Sequence, residues 1–293
     1  MLGCHYDLHL MAVKPSPTTL RRQLGVELRR LRGDRTVADV VAGLGWSESK
    51  LSRIETAHSG IRPKDLDALL DGYGVGPDVR RRMHALSTQS RQRAWWEAYG
   101  DVLPNAYETY IGFEAEATAI FNFEAQIVPG LLQTPQYARA VIAADGVYDD
   151  EDVVAQRVQV RLARQAVLTR VPPPRLAVVL DEAVLRRTIG GPEVMRHQLS
   201  RLVETAELSM VTIQVLPFAV GAHRALAGSF IVLELGDDSD HPLVYSEGMT
   251  GGVFRSRPDE LRSYLMSFEA LRATALSPKD SSAFIAAIAH GNQ

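Results

Sequence analysis

The sequence predicts two domains of different class: an all-α N-terminal domain, and an α+β C-terminal domain built on a small mixed sheet. Three observations carry this. Apolar residues recur at helical spacing, with cap and stop signals, through the first hundred residues. Four short β-branched runs then follow a Pro172-Pro173-Pro174 break, each bounded by Pro, Gly or Asp. Charge divides as well. Residues 1–93 hold 16 Lys and Arg against 10 Asp and Glu, and the remainder holds 16 against 25. The net charge of −3 conceals this split. A basic first third joined to an acidic remainder suits a nucleic-acid module fused to a unit with another task.

At 293 residues the chain has room for about two domains. No stretch approaches the roughly 18 consecutive apolar residues of a membrane span. The first twenty residues lack the basic start and apolar core of a signal peptide. A cytoplasmic protein with no membrane partner is therefore expected. The single cysteine, Cys4, excludes an internal disulfide and a cysteine metal cluster. Cys4, His5 and His9 lie close together, but Pro15 and Pro17 follow and no fourth ligand is near. Residues 1–17 are read as a flexible tail, with neither metal nor cofactor, and Met11 is a second possible start.

The first helix spans residues 18–32, with Leu20, Leu24, Leu28 and Leu31 on one face and arginines on the others. Gly33-Asp34 stops it. Thr36 caps a second helix, with Asp39 three residues on in a near capping box and Val37, Val40, Val41 and Leu44 inward. Gly45 suits a left-handed C-terminal position. Ser47 caps a short third helix that buries Leu51 and Ile54. Pro63 opens a fourth, with Leu66, Leu69 and Leu70 inward. These helices form a domain over residues 18–75. A linking helix over 76–100 is expected next, then a regulatory domain over 101–293. Its first part, 107–142, reads as acidic, aromatic and mostly helical, broken by a PGLLQTP turn. Another helix follows through DDEDVVAQRVQVRLARQAVLTR. Strands are expected at 175–181, 210–217, 228–235 and 242–247, with a helix between the first two and closing helices at 258–273 and 281–290.

The second helix, a tight glycine turn and the third helix make a helix-turn-helix pattern. Val41, Leu44, Trp46, Leu51 and Ile54 would pack the third helix onto the first two. Its other face carries Ser47, Glu48, Ser49, Lys50, Ser52 and Arg53, short or cationic groups suited to base edges and phosphates. Arg21, Arg22, Arg29, Arg30, Arg32 and Arg35 would add nonspecific attraction to double-stranded DNA.

The stretch LRRLRGDRTVADVVAGLGWSESKLSRIE resembles the helix-turn-helix of the lambda-repressor-like, or XRE, family over roughly residues 20–75. The resemblance implies that Thr36 starts the second helix and that Glu48, Ser49 and Arg53 contact bases, with Ser47 and Lys50 beside them. It implies further that Thr56 and His58 lie near the DNA backbone. Arg30 and Glu55 would form a salt bridge tying the first helix to the end of the third. Two positions depart from the family: Val37 stands where Gln is usual, and Val41 where a small residue is usual.

The remainder, through YIGFEAEATAIFNFEAQIVPGLLQTPQYARAVI, LDEAVLRRTIGG, VTIQVLPFAVGAH and GSFIVLEL, resembles a family of actinobacterial regulators. These join an XRE-type N-terminus to a DUF5753 domain, also described as Scr1-like antitoxin regulators. The resemblance implies a transcriptional regulator with an antitoxin-like or developmental role, paired with a small neighbouring DUF397-type protein. A homodimer is expected, since helix-turn-helix proteins commonly read two half-sites.

The large domain offers three tasks. Tyr107, Tyr110, Phe113, Phe121 and Phe123 suit either a core or an effector pocket. The helices ELRSYLMSFEALRATAL and SSAFIAAIAHG suit either core closure or a dimer interface. The alternative is an enzyme tethered to DNA. Asp181 and Glu182 follow one strand, Glu247 follows another, and His223 lies in a loop. Asp181 reads better as a helix cap. SEGMTGG lacks a P-loop lysine, and neither HExxH nor a nucleophile elbow occurs. No catalytic residue is assigned, and the chain is expected not to be an enzyme.

Overall fold

The computed structural model describes residues 17–57, 59–91, 95–100, 102–144, 146, 150–236 and 242–291. Cys4, His5, His9 and His58 lie outside them. The chain divides into two units, Met1–Gln92 and Arg93–Gln293.

The first unit is five helices: α1 (Pro17–Arg32), α2 (Val37–Ala42), α3 (Glu48–Glu55), α4 (Pro63–Tyr73) and α5 (Pro77–Gln89). Local chemistry sets their ends. Thr36 and Asp39 complete a reciprocal capping box on α2. Gly45 sits at φ +65°, the left-handed turn that points α3 away from α2. The Ser47 hydroxyl accepts from the Lys50 amide at the start of α3. Pro63 and Pro77 open α4 and α5. Leu24, Leu28, Val41, Leu51, Ile54, Leu66, Leu69, Leu70 and Met83 share one core. The expected linking helix over 76–100 is corrected here. Its first part is α5, which ends at Gln89 and buries Met83 in this core, and a separate 3-10 turn covers Trp95–Tyr99.

The second unit is α+β, with a six-stranded sheet rather than a small one. The strands are β1 (Ala117–Glu124), β2 (Arg175–Asp181), β3 (Val211–Leu216), β4 (Phe230–Leu235), β5 (Leu243–Gly248) and β6 (Gly251–Arg255). Their order is β3-β2-β1-β4-β5-β6. β1, β2 and β3 run parallel, and β4 to β6 join antiparallel. The helices are α6 (Asn105–Glu116), α7 (Pro135–Ala144), α8 (Glu151–Arg164), α9 (Glu182–Arg186), α10 (Pro192–Thr205), α11 (Pro258–Thr274) and α12 (Pro278–Ala289).

Two strands were not expected. β1 falls within the stretch read as helical, and β6 starts on the last two glycines of SEGMTGG, where no element was expected. β1 is an interior strand whose two faces are both covered. Ile120 joins the core that includes α6 and α10, whereas Phe121 and Phe123 join the core that includes α11. Burial on both faces removes the polar alternation that marks a strand in sequence. β6 begins with Gly251-Gly252, poor strand formers. Gly252 is required there, because a Cβ would meet the Tyr245 ring and hydroxyl at 2.2 to 2.4 Å.

Candidate nucleic-acid interface

α3 presents two unlike faces. Leu51 and Ile54 are buried, whereas Ser47, Glu48, Ser49, Ser52, Arg53 and Thr56 are exposed and Lys50 is partly so. The eight expected DNA-contacting residues divide by what else their side chains do. The Thr36 hydroxyl donates to Asp39 at 2.6 Å and accepts from its amide, so it is bound up in the cap of α2. Ser47 caps α3. The Thr56 hydroxyl donates to the Ser52 carbonyl at 2.7 Å. Lys50 pairs with Asp65 at 3.0 Å and lies 3.6 Å over the Trp46 ring. Arg53 has no side-chain partner among the described residues. Glu48, Ser49, Ser52 and Arg53 are thus the groups most ready to reach outward.

The expected Arg30–Glu55 pair is not formed. Arg30 turns back to Glu27 at 2.9 Å, and Glu55 is held by Arg32 through two hydrogen bonds of 2.7 and 3.0 Å. Helical geometry explains the exchange. Residues two apart point about 200° away from each other at 3.6 per turn. Arg32 lies four residues from buried Leu28 and seven from Gly25, on the stripe facing α3, and Arg30 does not. The pair is largely shielded, with side chains 13% and 5% exposed. The Glu55 carboxylate holds the Arg32 guanidinium above its ordinary pKa.

Gly25 sets how closely α1 approaches α3. A Cβ there would lie 2.6 Å from the Glu55 carbonyl oxygen and 2.8 Å from that of Ile54. No side chain fits in that gap. The Arg32–Glu55 pair and the Gly25 contact therefore fix the recognition helix against α1 at its C-terminal end.

The six arginines expected to attract DNA are only partly available. Arg22 is largely buried, and burial pushes its pKa down to about 10. Arg21 donates to the Ser90 carbonyl. Arg35 donates to the carbonyls of Leu31, Arg32 and Gly72 and lies 4.8 Å over Tyr73. The sequence reading passed over two other exposed cations of this unit. Arg62 and Lys64 are exposed on either side of Pro63 at the start of α4, next to the Asp65 that meets Lys50. The signal was Pro63, which marks a helix N-terminus favourable to phosphate. Of the departures noted above, Val41 is buried and Val37 partly so, both packed in the core.

In the second unit three of the four suspected catalytic groups make contacts within the fold. Asp181 caps α9 by accepting from the Ala183 amide at 2.8 Å. Glu182 accepts from Arg186 at 2.6 Å and from the Phe218 amide at 2.8 Å. His223 lies 3.9 Å from Asp181 and accepts from the Ala225 amide at its Nδ1. Glu247 is exposed near the end of β5. Among the described residues no group of three His, Cys, Asp or Glu is placed to hold a metal ion. No helix among them is long and apolar enough to cross a membrane. The aromatics separate by face. Tyr107 and Tyr110 line a cavity, Phe113 packs edge-on against Phe254, and Phe121 and Phe123 face the opposite core.

Family comparison agrees with this division. A family described as a helix-turn-helix domain matches residues 23–83. A domain of unknown function, DUF5753, matches residues 107–287. No curated protein and no solved structure matches the chain. The exposed face of α3, anchored on a five-helix core, is therefore that of a helix-turn-helix DNA-binding regulator, and the chain belongs to the DUF5753 family.

Proposed function

We propose that the protein is a sequence-specific transcriptional regulator that lays α3 in the major groove. The observation that supports this is the division of α3: an apolar side locked onto α1, and an outward side of Glu48, Ser49, Ser52 and Arg53. Arg53 has the reach and donors for guanine or phosphate, and Glu48 can accept from a cytosine amino group. Arg62 and Lys64 add phosphate contacts beside it. Two copies would read two half-sites, as helix-turn-helix dimers do. The larger unit would receive an effector or a small DUF397-type partner and shift operator affinity, in an antitoxin-like or developmental role. Such a protein works in the cytoplasm, on the nucleoid, and is not an enzyme. The test is a fluorescence-anisotropy titration with DNA from upstream of its own gene, beside a scrambled duplex, at two salt concentrations. Tight, salt-sensitive binding that prefers the native duplex is expected. Equal and weak binding to both duplexes would overturn the reading for that operator and leave the larger unit as the seat of function.

A further inference from the structure

A cavity of about 60 Å³ lies between the sheet and helices α6 and α8. Cross-strand register builds its floor. Asn122 on β1 pairs with Ile231 on β4, and Ile231 pairs with Tyr245 on β5. Ile120 and Glu124 lie two residues either side of Asn122, and Glu247 two residues beyond Tyr245, so all share that face of the sheet. Two polar atoms of this floor are orphaned. Asn122 is 5% exposed, and its Oδ1 has no hydrogen-bond partner. The hydroxyl of Tyr245, 2% exposed, has none either. The first is an acceptor and the second has a proton to give. Buried polar atoms are almost always satisfied, so two orphans in one cavity call for an occupant with both donors and acceptors.

The charged groups divide in the same way. Glu124 and Glu247 reach the cavity from the sheet, Arg161 and Arg164 from α8. Arg164 is neutralised in place, its guanidinium donating to Glu114 at 2.7 Å through two nitrogens and also to the Tyr107 hydroxyl. Arg161 spends one N–H on the Tyr107 hydroxyl at 3.1 Å and one on the Gln133 side chain at 2.9 Å. The other N–H groups of its guanidinium are unspent. Although Arg161, Glu124 and Glu247 line one cavity, no ion pair joins the arginine to either carboxylate. Opposite charges in a shielded space attract strongly, and here they stay apart around a gap. The PGLLQTP corner forms the wall beside Arg161. A Cβ at Gly130 would meet Arg161 Cδ at 2.9 Å, so the glycine leaves Arg161 its place. Gln133 and Gln198 tie the corner down by hydrogen bonds to backbone groups at 2.7 to 2.8 Å.

We infer that the C-terminal domain binds a small zwitterion in this cavity, an α-amino acid of the size of glycine or alanine. Its ammonium group donates to Asn122 Oδ1 and to the carboxylates of Glu124 and Glu247. Its carboxylate accepts from the unspent N–H groups of Arg161 and from the Tyr245 hydroxyl. Size agrees: a water needs about 10–15 Å³, so this space takes about four to six heavy atoms. Net charge agrees as well. Arg161 and Arg164 stand against Glu114 and Glu247. Burial pushes the Glu124 carboxyl up to about 7, so near neutral pH the lining is close to balanced and suits an occupant without net charge. A neutral amide would serve Asn122 and Tyr245 but leave Arg161 and Glu247 unmatched, and hydrogen bonds between ionised groups are the stronger ones. A simple cation would leave the Arg161 donors idle, and a simple anion would meet the two carboxylates. The inference names the effector class of the proposed regulator, and it rests on that reading only for the link to DNA.

Binding is measured on the full chain without DNA, by calorimetry and saturation-transfer NMR. The probes are glycine and L-alanine, beside ethylamine, propionate and acetamide, each of which lacks one or both charges. Saturable binding of the two amino acids is expected, about tenfold or more tighter than any of the three controls. Arg161→Gln and Glu247→Gln should each weaken it about tenfold. Glu247→Gln changes an exposed side chain and keeps the test usable if Arg161→Gln folds poorly. The inference is overturned if neither amino acid saturates the site, if ethylamine, propionate or acetamide binds as well as alanine, or if either variant, once folded, binds the amino acids as the parent does. Amino-acid binding that leaves operator affinity unchanged would refute the regulatory link and not the site.

Discussion

Replacing Gly25 by alanine should destabilise the helix-turn-helix, although helix propensity alone argues the reverse. Glycine inside a helix costs about 1 kcal/mol relative to alanine. Position 25 lies in the middle of α1, so the isolated helix would gain that amount. The tertiary term opposes it. The added Cβ would lie 2.6 Å from the Glu55 oxygen, 2.8 Å from the Ile54 oxygen and 2.9 Å from the Glu55 carbonyl carbon. Comfortable contact begins near 3.5 Å, so α1 and α3 must separate by about 1 Å. The obstacles are backbone atoms, which cannot rotate aside. Overpacking of this kind typically costs 1–3 kcal/mol, and rigid neighbours place this site at or beyond the upper end. The net loss is about 2 kcal/mol, or about thirtyfold in an opening equilibrium. Hydrogen exchange on the full chain reads it locally: the slowest amides of α1, α3 and α4 should lose about thirtyfold in protection, while the sheet stays unchanged. Operator affinity should fall too, because α3 is displaced. A Gly25→Ala protein with equal or greater protection in these helices would refute the close-contact reasoning.

Glu55→Ala strands Arg32 in a shielded position and should cost the N-terminal helices about 3 kcal/mol by the same exchange measurement. Arg30→Ala should stay within about 0.5 kcal/mol, and an Arg30 effect as large as that of Arg32→Ala would return the pair to Arg30. Arg53→Ala should weaken operator binding by about 1–3 kcal/mol, roughly 5- to 150-fold, and an unchanged titration would remove it from the interface. Glu124 should make the second unit less stable as pH rises. Its carboxyl stands at about 7 when folded against 4.5 unperturbed, so the folded state holds the extra proton between those values. That contribution is complete below about pH 4.5 and is lost by about pH 7, at most about 3 kcal/mol. Ser229, Asn122 and Arg161 lower the pKa while Glu247 raises it. Denaturation of Glu124→Gln should lack this fall, and parallel pH curves for the two proteins would show that burial does not act there.

What the sequence discloses here depends on how local the signal is. The ends of α2, α3 and α4 were legible because Thr36 with Asp39, Gly45, Ser47 and Pro63 each act on backbone within a few residues. The partner of Glu55 was not. Arg30 and Arg32 are equally plausible as letters, and only the orientation of α1 against α3 selects Arg32. β1 was missed because both its faces are covered, so Ala119, Ile120, Phe121 and Phe123 read like the buried side of a helix. The cavity was visible only in fragments. Tyr107 and Tyr110 were noticed as aromatics, and PGLLQTP as a corner. Asn122, Arg161 and Glu247 meet only once β1, α8 and β5 are assembled across more than a hundred residues.

Charge shows most sharply why a residue count is a poor guide to DNA affinity. Arg21, Arg22, Arg29, Arg30, Arg32, Arg35, Lys50 and Arg53 would together suggest eight phosphate-neutralising cations. Six of them are buried or engaged with their own protein, through Ser90, Glu27, Glu55, Asp65, backbone carbonyls or burial itself. Arg29 and Arg53 remain exposed and without a partner among the described residues, and Arg62 and Lys64 join them. Binding to duplex DNA releases counterions in proportion to the phosphates neutralised, with a slope of about −0.9 per contact. Four cations give about −4 per bound protomer in a plot of log K against log salt, whereas eight give about −7. The same titration measures this on nonspecific duplex, where base contacts contribute little. A slope near −7 would mean that the internal pairs open on DNA, with Lys50 leaving Asp65 and Arg32 leaving Glu55. α3 would then be released from α1 as it bound, and the rigid presentation argued from Gly25 and Glu55 would not survive that result.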